Sequence, residues 1–247
     1  MTATRRALAA AAAAMLLLTV GASATEKPRP LRVLVFDITY NARATRAVKT
    51  SGMVPNAHGF GTHNVAGTGT AEQQADGNDR GTLTVDVIAA TAEGALVVDA
   101  AFEGLRSQPA VRVVVFRDGR LSWNPAQPLS PAGVRVLPLL ARGLVSEKDV
   151  SPGSSWTVAA PPPQKGELTY RVLHVDGDRA TIEIEGTRRT SGSDEYEHAN
   201  TLYATDLLTP LSLAIDARIR RQIGVDDSLT TDAHLVATLV SDTFAKK

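Results

Sequence analysis

Two aspartates in the sequence are placed to share one chemical site. Within the stretch 81–104, a four-residue loop from Thr91 to Gly94 sets Asp86 directly opposite Asp99 on adjacent antiparallel strands. Carboxylates that close can hold a divalent cation or act together as an acid and a base. A solvated face on which neighbouring strands supply Arg or Lys explains the same pair, and we prefer it because exposed sheets tolerate such charges.

Histidines provide a second set of candidate metal ligands. His58 and His63 are five residues apart in a glycine-rich stretch, and this separation matches no standard zinc spacing. His198 lies in a predicted polar loop, 191–200, whose polarity solvent exposure explains. That loop also carries three acidic residues, Asp194, Glu195 and Glu197. We therefore predict no metal site and no cofactor.

Motifs of nucleophilic catalysis are absent from the sequence. Neither Gly-x-Ser-x-Gly nor Ser-x-x-Lys occurs, and the glycine pairs at 59–61 and 67–69 lack the Lys-Ser/Thr of a phosphate loop. Aromatic residues make up only 4% of the chain, too few for the sugar-binding cleft that a glycosidase needs. We predict that the protein has no catalytic residues and is not an enzyme.

The hairpin that contains the two aspartates organises the rest of the predicted fold. Its register also matches apolar residues across the two strands, pairing Ala89 with Leu96, Val87 with Val98, Val85 with Ala100 and Leu83 with Phe102. One face is therefore wholly apolar, and a slip of one residue would destroy the match. A two-stranded ribbon is marginal in water, so the remaining chain must cover this face.

Further hairpins follow the same alternation. Residues 31–40 form a first strand, with Leu34, Phe36, Ile38 and Tyr40 on one face. Asp118-Gly119 predicts a two-residue turn that pairs Val114 with Trp123. Two later hairpins pair apolar residues on one face and opposite charges on the other. The predicted pairs are Tyr170 with Ile184, Val172 with Ile182, Arg171 with Glu183, Ile215 with Ala237, Ile219 with Ala233, and Arg220 with Asp232.

One helix is predicted in the mature chain. Ser130 is a good N-cap and Pro131 suits the first helical position. Apolar residues then recur at helical spacing, at Val134, Leu137, Ala141 and Leu144. Pro138 lies inside this pattern, so we expect a kink or a break there.

These elements predict an all-β fold with one helix. We expect an antiparallel, strongly curved sheet or half-open barrel of roughly nine or ten strands, with the short helix covering the concave side. Residues 25–247 are predicted to be a single domain, with 41–80 as a weakly structured insertion. The concave side is predicted to be lined by Leu83, Val85, Val87, Val98, Phe102, Val114, Trp123, Tyr170, Val172, Ile182, Ile184, Ile215 and Ile219.

The N-terminus predicts export. Arg5 and Arg6 precede an apolar segment that ends at Ala22-Ser-Ala24, as in a secretory signal peptide (Sec type) cleaved after Ala24. An uncleaved N-terminal anchor is the alternative, although the segment is short for a membrane span. Cleavage removes two arginines and leaves 24 basic residues against 26 acidic ones, a net charge of −2. This balance gives no case for nucleic acid as a partner, and the absence of cysteine excludes disulfides.

Several motifs resemble exported bacterial β-rich proteins of unknown function, and the resemblance covers most of residues 30–245. They are Gly81-Thr-Leu-Thr-Val-Asp-Val87, Gly94-Ala-Leu-Val-Val-Asp99, Leu137-Pro-Leu-Leu-Ala-Arg-Gly-Leu144 and Pro152-Gly-Ser-Ser-Trp156. In plan, the predicted hairpins and helix also resemble the periplasmic lipoprotein carriers, whose half-barrels with a helical plug hold acyl chains. No motif of those carriers is matched here, and they have several helices where this chain has one.

We predict a secreted or periplasmic β domain without catalytic activity that binds an apolar or lipid-like ligand in its concave face. A filled core on that face is the competing structural interpretation. An envelope structural or protein-interaction module is the alternative function, and a metal-dependent hydrolase is a third. The residues predicted to contact the ligand are Phe102, Trp123, Leu137, Leu140, Leu144, Tyr170 and His174.

Overall fold

A computed structural model describes residues 29–48, 50–55, 62–67, 75–104, 107–145, 148, 150–159, 165–224 and 227–244. Thirteen strands lie in these residues. They are β1 (Arg32–Val48), β2 (Thr50–Pro55), β3 (Thr62–Gly67), β4 (Ala75–Ala90), β5 (Leu96–Gly104), β6 (Gln108–Val115), β7 (Leu121–Trp123), β8 (Ser155–Ala159), β9 (Lys165–Asp176), β10 (Arg179–Thr190), β11 (Ser193–Ala204), β12 (Thr209–Gly224) and β13 (Asp227–Asp242). The predicted all-β class with a short helix is confirmed.

Eleven of the strands described form one antiparallel sheet, where the sequence predicted nine or ten. The order across the sheet is β7-β6-β5-β4-β1-β13-β12-β11-β10-β9-β8, while β2 and β3 form a separate pair. β1 pairs with both β4 and β13, so the two halves of the chain join at the first and last strands of the chain. β7 and β8 lie at opposite edges of the sheet and do not pair with each other, so the sheet is open.

The core lies on one face of this sheet and is covered by a broken helical segment, residues 131–145. The segment consists of α1 (Pro131–Val136), a 3₁₀ helix (Leu137–Leu140) and α2 (Arg142–Val145). Its apolar residues pack into the same cluster as the alternate residues of the strands, among them Phe36, Val85 and Ile182. Within the residues described, no helix is long and apolar enough to span a bilayer.

The local sequence explains both the start and the break of the helical segment. Ser130 Oγ accepts a 3.0 Å hydrogen bond from the amide of Gly133, as an N-cap does, and Pro131 occupies the first turn. The α-helix ends at Val136 because Pro138 has no amide hydrogen to continue it. A tighter 3₁₀ turn follows, and Ala141 then adopts an extended conformation before α2. The predicted break at Pro138 is confirmed.

The organising hairpin, β4 with β5, has the predicted register over most of its length. Val87 pairs with Val98, Val85 with Ala100, Leu83 with Phe102, and Asp86 lies opposite Asp99. The pairing of Ala89 with Leu96 is wrong, because a bulge after Val87 shifts the register by one residue. Gly94 closes the turn with a positive φ of 83°.

The register of β6 with β7 differs from the prediction by one residue. Phe116 donates its amide to the carbonyl of Arg120 at 2.8 Å, so the turn is a residue longer than the predicted two-residue turn. Trp123 consequently pairs with Val113, and Val114 points to the opposite face from the buried Val113 and Val115. The prediction that Val114 lines the concave side was therefore wrong.

A bulge also moves His174 away from its predicted position. Tyr170 pairs with Ile184 and Val172 with Ile182, as predicted, but the turn has two residues and β9 compensates with an extra residue beyond Val172. His174 therefore pairs with Thr181 and is exposed. Its predicted place on the apolar face is wrong.

The hairpin of β12 and β13 is displaced by two residues from the prediction. Ile215 pairs with Leu235 and Arg218 pairs with Asp232, where the sequence had suggested Ala237 and Arg220 as the respective partners. A shift of two residues leaves each side chain on its predicted face, because strand side chains alternate with a period of two. The buried residues Leu213, Ile215 and Leu235 accordingly share the core.

Two stretches predicted to be irregular are largely strand where the structure describes them. Residues 41–48 continue β1 and residues 75–80 begin β4, so the predicted insertion does not extend over them. Residues 193–200 belong to β11 rather than to a polar loop. His58 lies outside the residues described, and His63 is in β3. The signal peptide and the single domain stay predictions.

Candidate functional site

The two edges of the open sheet border one cavity, which we call the seam cavity. It has a volume of about 150 Å³. Its floor is the helical segment, its walls come from the strands at either edge, and the β6–β7 turn contributes the rim. The lining residues are Asp118, Gly119, Arg120, Leu121, Trp123, Val134, Pro138, Leu144, Val158, Ala159, Leu168, Tyr170 and Arg188. Because both edges reach the same cavity, the sheet curls around the helical segment.

Three of the predicted ligand-contacting residues meet at this cavity. Trp123 approaches from β7, Leu144 from the helical segment and Tyr170 from β9. Trp123 is 36% exposed, whereas Tyr170 and Leu144 are buried. Tyr170 stacks on Trp156 of β8 with ring centroids 5.5 Å apart, so the aromatic wall is fixed by its cross-strand neighbour.

The other predicted residues lie elsewhere. Phe102 lines a separate cavity of about 170 Å³ at the start of α1, together with Tyr40 and Gln108. Leu137 and Leu140 are buried in the packed core beneath the sheet. His174 is exposed and does not lie on the apolar face, as described above. The predicted set is thus divided between two small cavities, the core and the surface.

A cluster of four charged side chains, which we call the ion cluster, lies next to the seam cavity and is largely shielded from solvent. Arg135 of α1 donates to Glu197 Oε2 and to Glu195 Oε1, each at 2.6 Å. Arg188 Nη2 of β10 lies 3.6 Å from the same Glu197 oxygen. The exposed fractions of the Arg135 and Glu197 side chains are 10% and 6%. Two cations and two anions therefore balance within a mainly apolar face.

The environment of Arg135 keeps it charged. Burial alone would lower the pKa of the guanidinium, but the charges of Glu197 and Glu195 and the hydrogen bonds to both outweigh burial, and the pKa is raised. Burial also raises the pKa of the Tyr170 hydroxyl to about 12, with Arg188 acting in the opposite direction and Glu197 in the same one. Both groups keep their protons at neutral pH.

The ion cluster was missed by the sequence interpretation, although a signal for it exists. Glu195 and Glu197 alternate in β11 with the same parity as Ala199, Thr201 and Tyr203, so they occupy the face that becomes buried. The high polarity of residues 191–200 led to the prediction of a loop, so this alternation was not recognised. Arg135 gives no comparable signal, because a single charge in a helical pattern is normally exposed.

Two further polar contacts tether the helical segment. Tyr203 Oη of β11 donates a 3.2 Å hydrogen bond to the carbonyl of Leu139. At the other end, the amide of Gly143 donates to the carbonyl of Arg117 at 3.0 Å. A Cβ at position 143 would lie 2.5 Å from that carbonyl oxygen, so only glycine permits this approach. Each of the three helical pieces therefore has at least one polar contact with the sheet or with the β6–β7 turn.

The predicted aspartate pair is accompanied by an arginine of the next strand. Asp86 and Asp99 lie opposite each other on the outer face, and Arg112 of β6 donates to both oxygens of Asp99 at 2.8 and 2.9 Å. A neighbouring strand thus supplies the arginine that the preferred interpretation required. Within the described part of the chain, no three His, Asp or Glu side chains are grouped so that they could hold a metal ion.

The outer face also carries a wide, open cavity of about 480 Å³ between β1, β12 and β13. Four of its lining residues form two pairs with one another. Arg218 Nε donates to Asp232 at 2.6 Å, and His234 Nδ1 lies 2.8 Å from Asp216. These exposed pairs satisfy one another across neighbouring strands, which is typical of a solvated sheet face.

Comparisons with known proteins identify no family for this chain. No family model matches it, and no curated protein matches it. One solved structure, described as lipid–protein interactions in lipovitellin, aligns with 90% of this chain at 9% identity and a TM-score of 0.46. The chain spans only 26% of the length of that protein. A likeness at this level does not establish a shared fold or a shared ligand.

Proposed function

We propose that the protein is an exported, non-catalytic binding protein that takes an acyl chain or similar apolar group against its concave face. The observation that carries this proposal is how the core is covered. The sheet stays open between β7 and β8, and within the residues described the helical segment is the element that covers the apolar face. A segment held by side-chain contacts and short tethers can leave the face without breaking the sheet.

The concave face of the closed structure has too little room for such a ligand. The seam cavity and the cavity at Phe102 measure about 150 and 170 Å³, whereas ligand sites usually measure about 300–1,000 Å³. Binding therefore requires the helical segment to move. When it moves, the apolar surface that its buried residues Leu137, Leu140 and Leu144 had covered becomes accessible to an acyl chain.

The segment is built in a way that favours its displacement from the sheet. Pro138 interrupts it, so it lacks the continuous hydrogen-bond ladder of a long helix. Its two ends are tethered to different parts of the sheet, β11 at Arg135 and the β6–β7 turn at Gly143. Lids of this kind commonly gate binding sites through motion at a few points.

A direct binding measurement tests this function. Residues 25–247 would be purified, stripped of bound lipid, and titrated with N-phenyl-1-naphthylamine, a neutral probe that fluoresces in apolar sites. We expect saturable binding of one or a few molecules per protein and displacement of the probe by twelve-carbon chains. Native mass spectrometry before stripping should show bound lipid. If neither saturable binding nor bound lipid is found, the proposed function is wrong.

A protein-interaction module is the second candidate, and the sheet edges support it. β7 and β8 carry no strand partner on their outer sides within the structure described. Exposed edges of this kind can accept a strand from another protein. A stoichiometric protein partner recovered with residues 25–247, in the absence of co-purifying lipid, would favour this function over the first.

A further inference from the structure

The seam cavity is apolar on most of its surface and cationic at one point. Apolar side chains from the helical segment and from both sheet edges provide its lining. At the rim, Arg120 Nε donates to Asp118 Oδ2 at 2.6 Å, so these two residues neutralise each other. Arg188 is the remaining charged residue of the lining, and its side chain is 20% exposed.

Arg188 shares a carboxylate that another residue already binds. Glu197 Oε2 accepts a 2.6 Å hydrogen bond from Arg135, whereas Arg188 lies 3.6 Å from the same oxygen. This longer distance is an ion pair without a hydrogen bond. A guanidinium has five N–H donors in a planar fork that fits carboxylate and phosphate oxygens. Arg188 can therefore bind a further anion at the cavity.

We propose that the ligand is an amphiphile with an anionic head, either a carboxylate or a phosphate, and that Arg188 binds this head in the seam cavity. The inference rests on the proposed function, because it assigns a polar end to a ligand whose apolar end occupies the concave face. A cavity of about 150 Å³ can hold a small head but no long chain. The chain extends from this cavity onto the part of the concave face that the helical segment vacates.

An anion at Arg188 also changes the balance of the ion cluster. In the closed structure two guanidinium groups face two carboxylates, and Arg135 hydrogen-bonds to both carboxylates. A bound anionic head pairs with Arg188 and brings a third negative charge near Glu197. The bound head thus perturbs the contact between Arg135 of α1 and Glu197 of β11.

A panel of four amphiphiles with the same twelve-carbon chain tests the inference. Laurate, dodecyl phosphate, dodecanol and dodecylamine would each displace N-phenyl-1-naphthylamine from the wild-type protein at pH 7. We expect at least one of the two anions to bind about tenfold or more tightly than dodecanol, as a charge-assisted hydrogen bond predicts. Dodecylamine should bind no more tightly than dodecanol. Comparison of laurate with dodecyl phosphate separates the two head chemistries.

Substitutions locate the head. Arg188→Gln should bring the affinity of each anion relative to dodecanol close to one, and Arg188→Lys should retain part of the preference for anions. Arg171→Gln is the matched control, because Arg171 lies on the outer face of the adjacent strand and its side chain is 60% exposed. It should leave all four affinities unchanged. Circular dichroism would verify that each variant is folded.

The outcomes separate this inference from the function on which it rests. If all four amphiphiles bind equally well, or if the preference for anions survives in Arg188→Gln, this inference is wrong and the proposed function stands. If none of the four binds to the wild-type protein, both are overturned. Because the panel on the wild-type protein needs no substitution, a variant that failed to fold would not remove the test.

Discussion

Arg135 is a buried cation on the helical segment, and its two carboxylate partners lie on the sheet. Removing one member of a buried ion pair leaves the other charge uncompensated, which costs about 3–5 kcal/mol. Arg135→Gln should therefore lower the free energy of unfolding by about 3 kcal/mol in urea titrations at pH 7. Arg218→Gln is the control, because its ion pair with Asp232 is exposed, and it should change stability very little. Equal losses in both variants would contradict the account of the ion cluster.

The lowered pKa of Asp242 should make the stability of the protein depend on pH. Burial alone would raise the pKa of its carboxyl group, but hydrogen bonds from Arg32 and from the amide of Phe244, with the charge of Arg32, lower it. A lowered pKa in the folded state stabilises the protein above the ordinary aspartate pKa, and this contribution is lost as the pH falls through the folded value.

The test for Asp242 compares two proteins at two pH values. The wild type should lose more stability between pH 6 and about pH 3 than Asp242→Asn, since asparagine cannot titrate. Arg32 also donates to the carbonyl of Leu207, so the arginine that Asp242 binds connects the start of β1 to the chain between β11 and β12. If the two proteins showed the same pH dependence, the Arg32–Asp242 pair would not be the source of the effect.

At the level of single residues, the sequence located the face of most apolar side chains but missed the charged ones. Alternation placed Leu34, Phe36 and Ile38 on the buried face because strand periodicity is local. Glu197 follows the same alternation, but carboxylates are rarely buried unless paired, so its burial could not be inferred without knowing of Arg135. The two residues are 62 positions apart in the chain.

The helical segment depends on its cap because α1 has only six residues. Ser130→Ala removes the acceptor for the Gly133 amide and should cost about 1 kcal/mol of stability. Ser130→Thr keeps the hydroxyl and should retain most of that stability. Thermal or urea unfolding of the two variants provides the comparison. If both lost the same amount, packing around Ser130 and not the cap would set the stability of α1.

Turn geometry explains why some strand registers were predicted correctly and others were not. The β4–β5 register follows from matched apolar residues, since any one-residue slip would expose them. The β6–β7 register failed because Asp118-Gly119 also fits a longer turn with glycine at a positive φ. His174 was misplaced because a bulge adds one residue to one strand, and bulges carry no clear sequence signal here.

At the scale of the whole molecule, the order of strands could not be read from the sequence. Neighbouring hairpins are local, but the pairing of β1 with β13 joins residues such as Phe36 and Leu239 from the two ends of the described chain. That pairing makes the two halves one sheet and leaves β7 and β8 as its edges. The open seam, and with it the meeting of Trp123 and Tyr170, follows from this non-local contact.

In the proposed function, the helical segment leaves the concave face when a ligand binds. The chain has no cysteine, so Leu140→Cys would place a single thiol in the segment at a position that is 3% exposed. The rate at which a thiol reagent modifies it reports how often the segment opens. Local opening differs from global unfolding because its rate hardly depends on low concentrations of urea.

The most direct test measures that labelling rate without and with saturating laurate. We predict that labelling is faster than global unfolding allows, that laurate increases it, and that adding Arg135→Gln increases it in the absence of ligand, whereas adding Arg218→Gln does not. Labelling that occurs only through global unfolding, or that laurate leaves unchanged while it binds, would show that the helical segment is a fixed part of the core and would contradict the account.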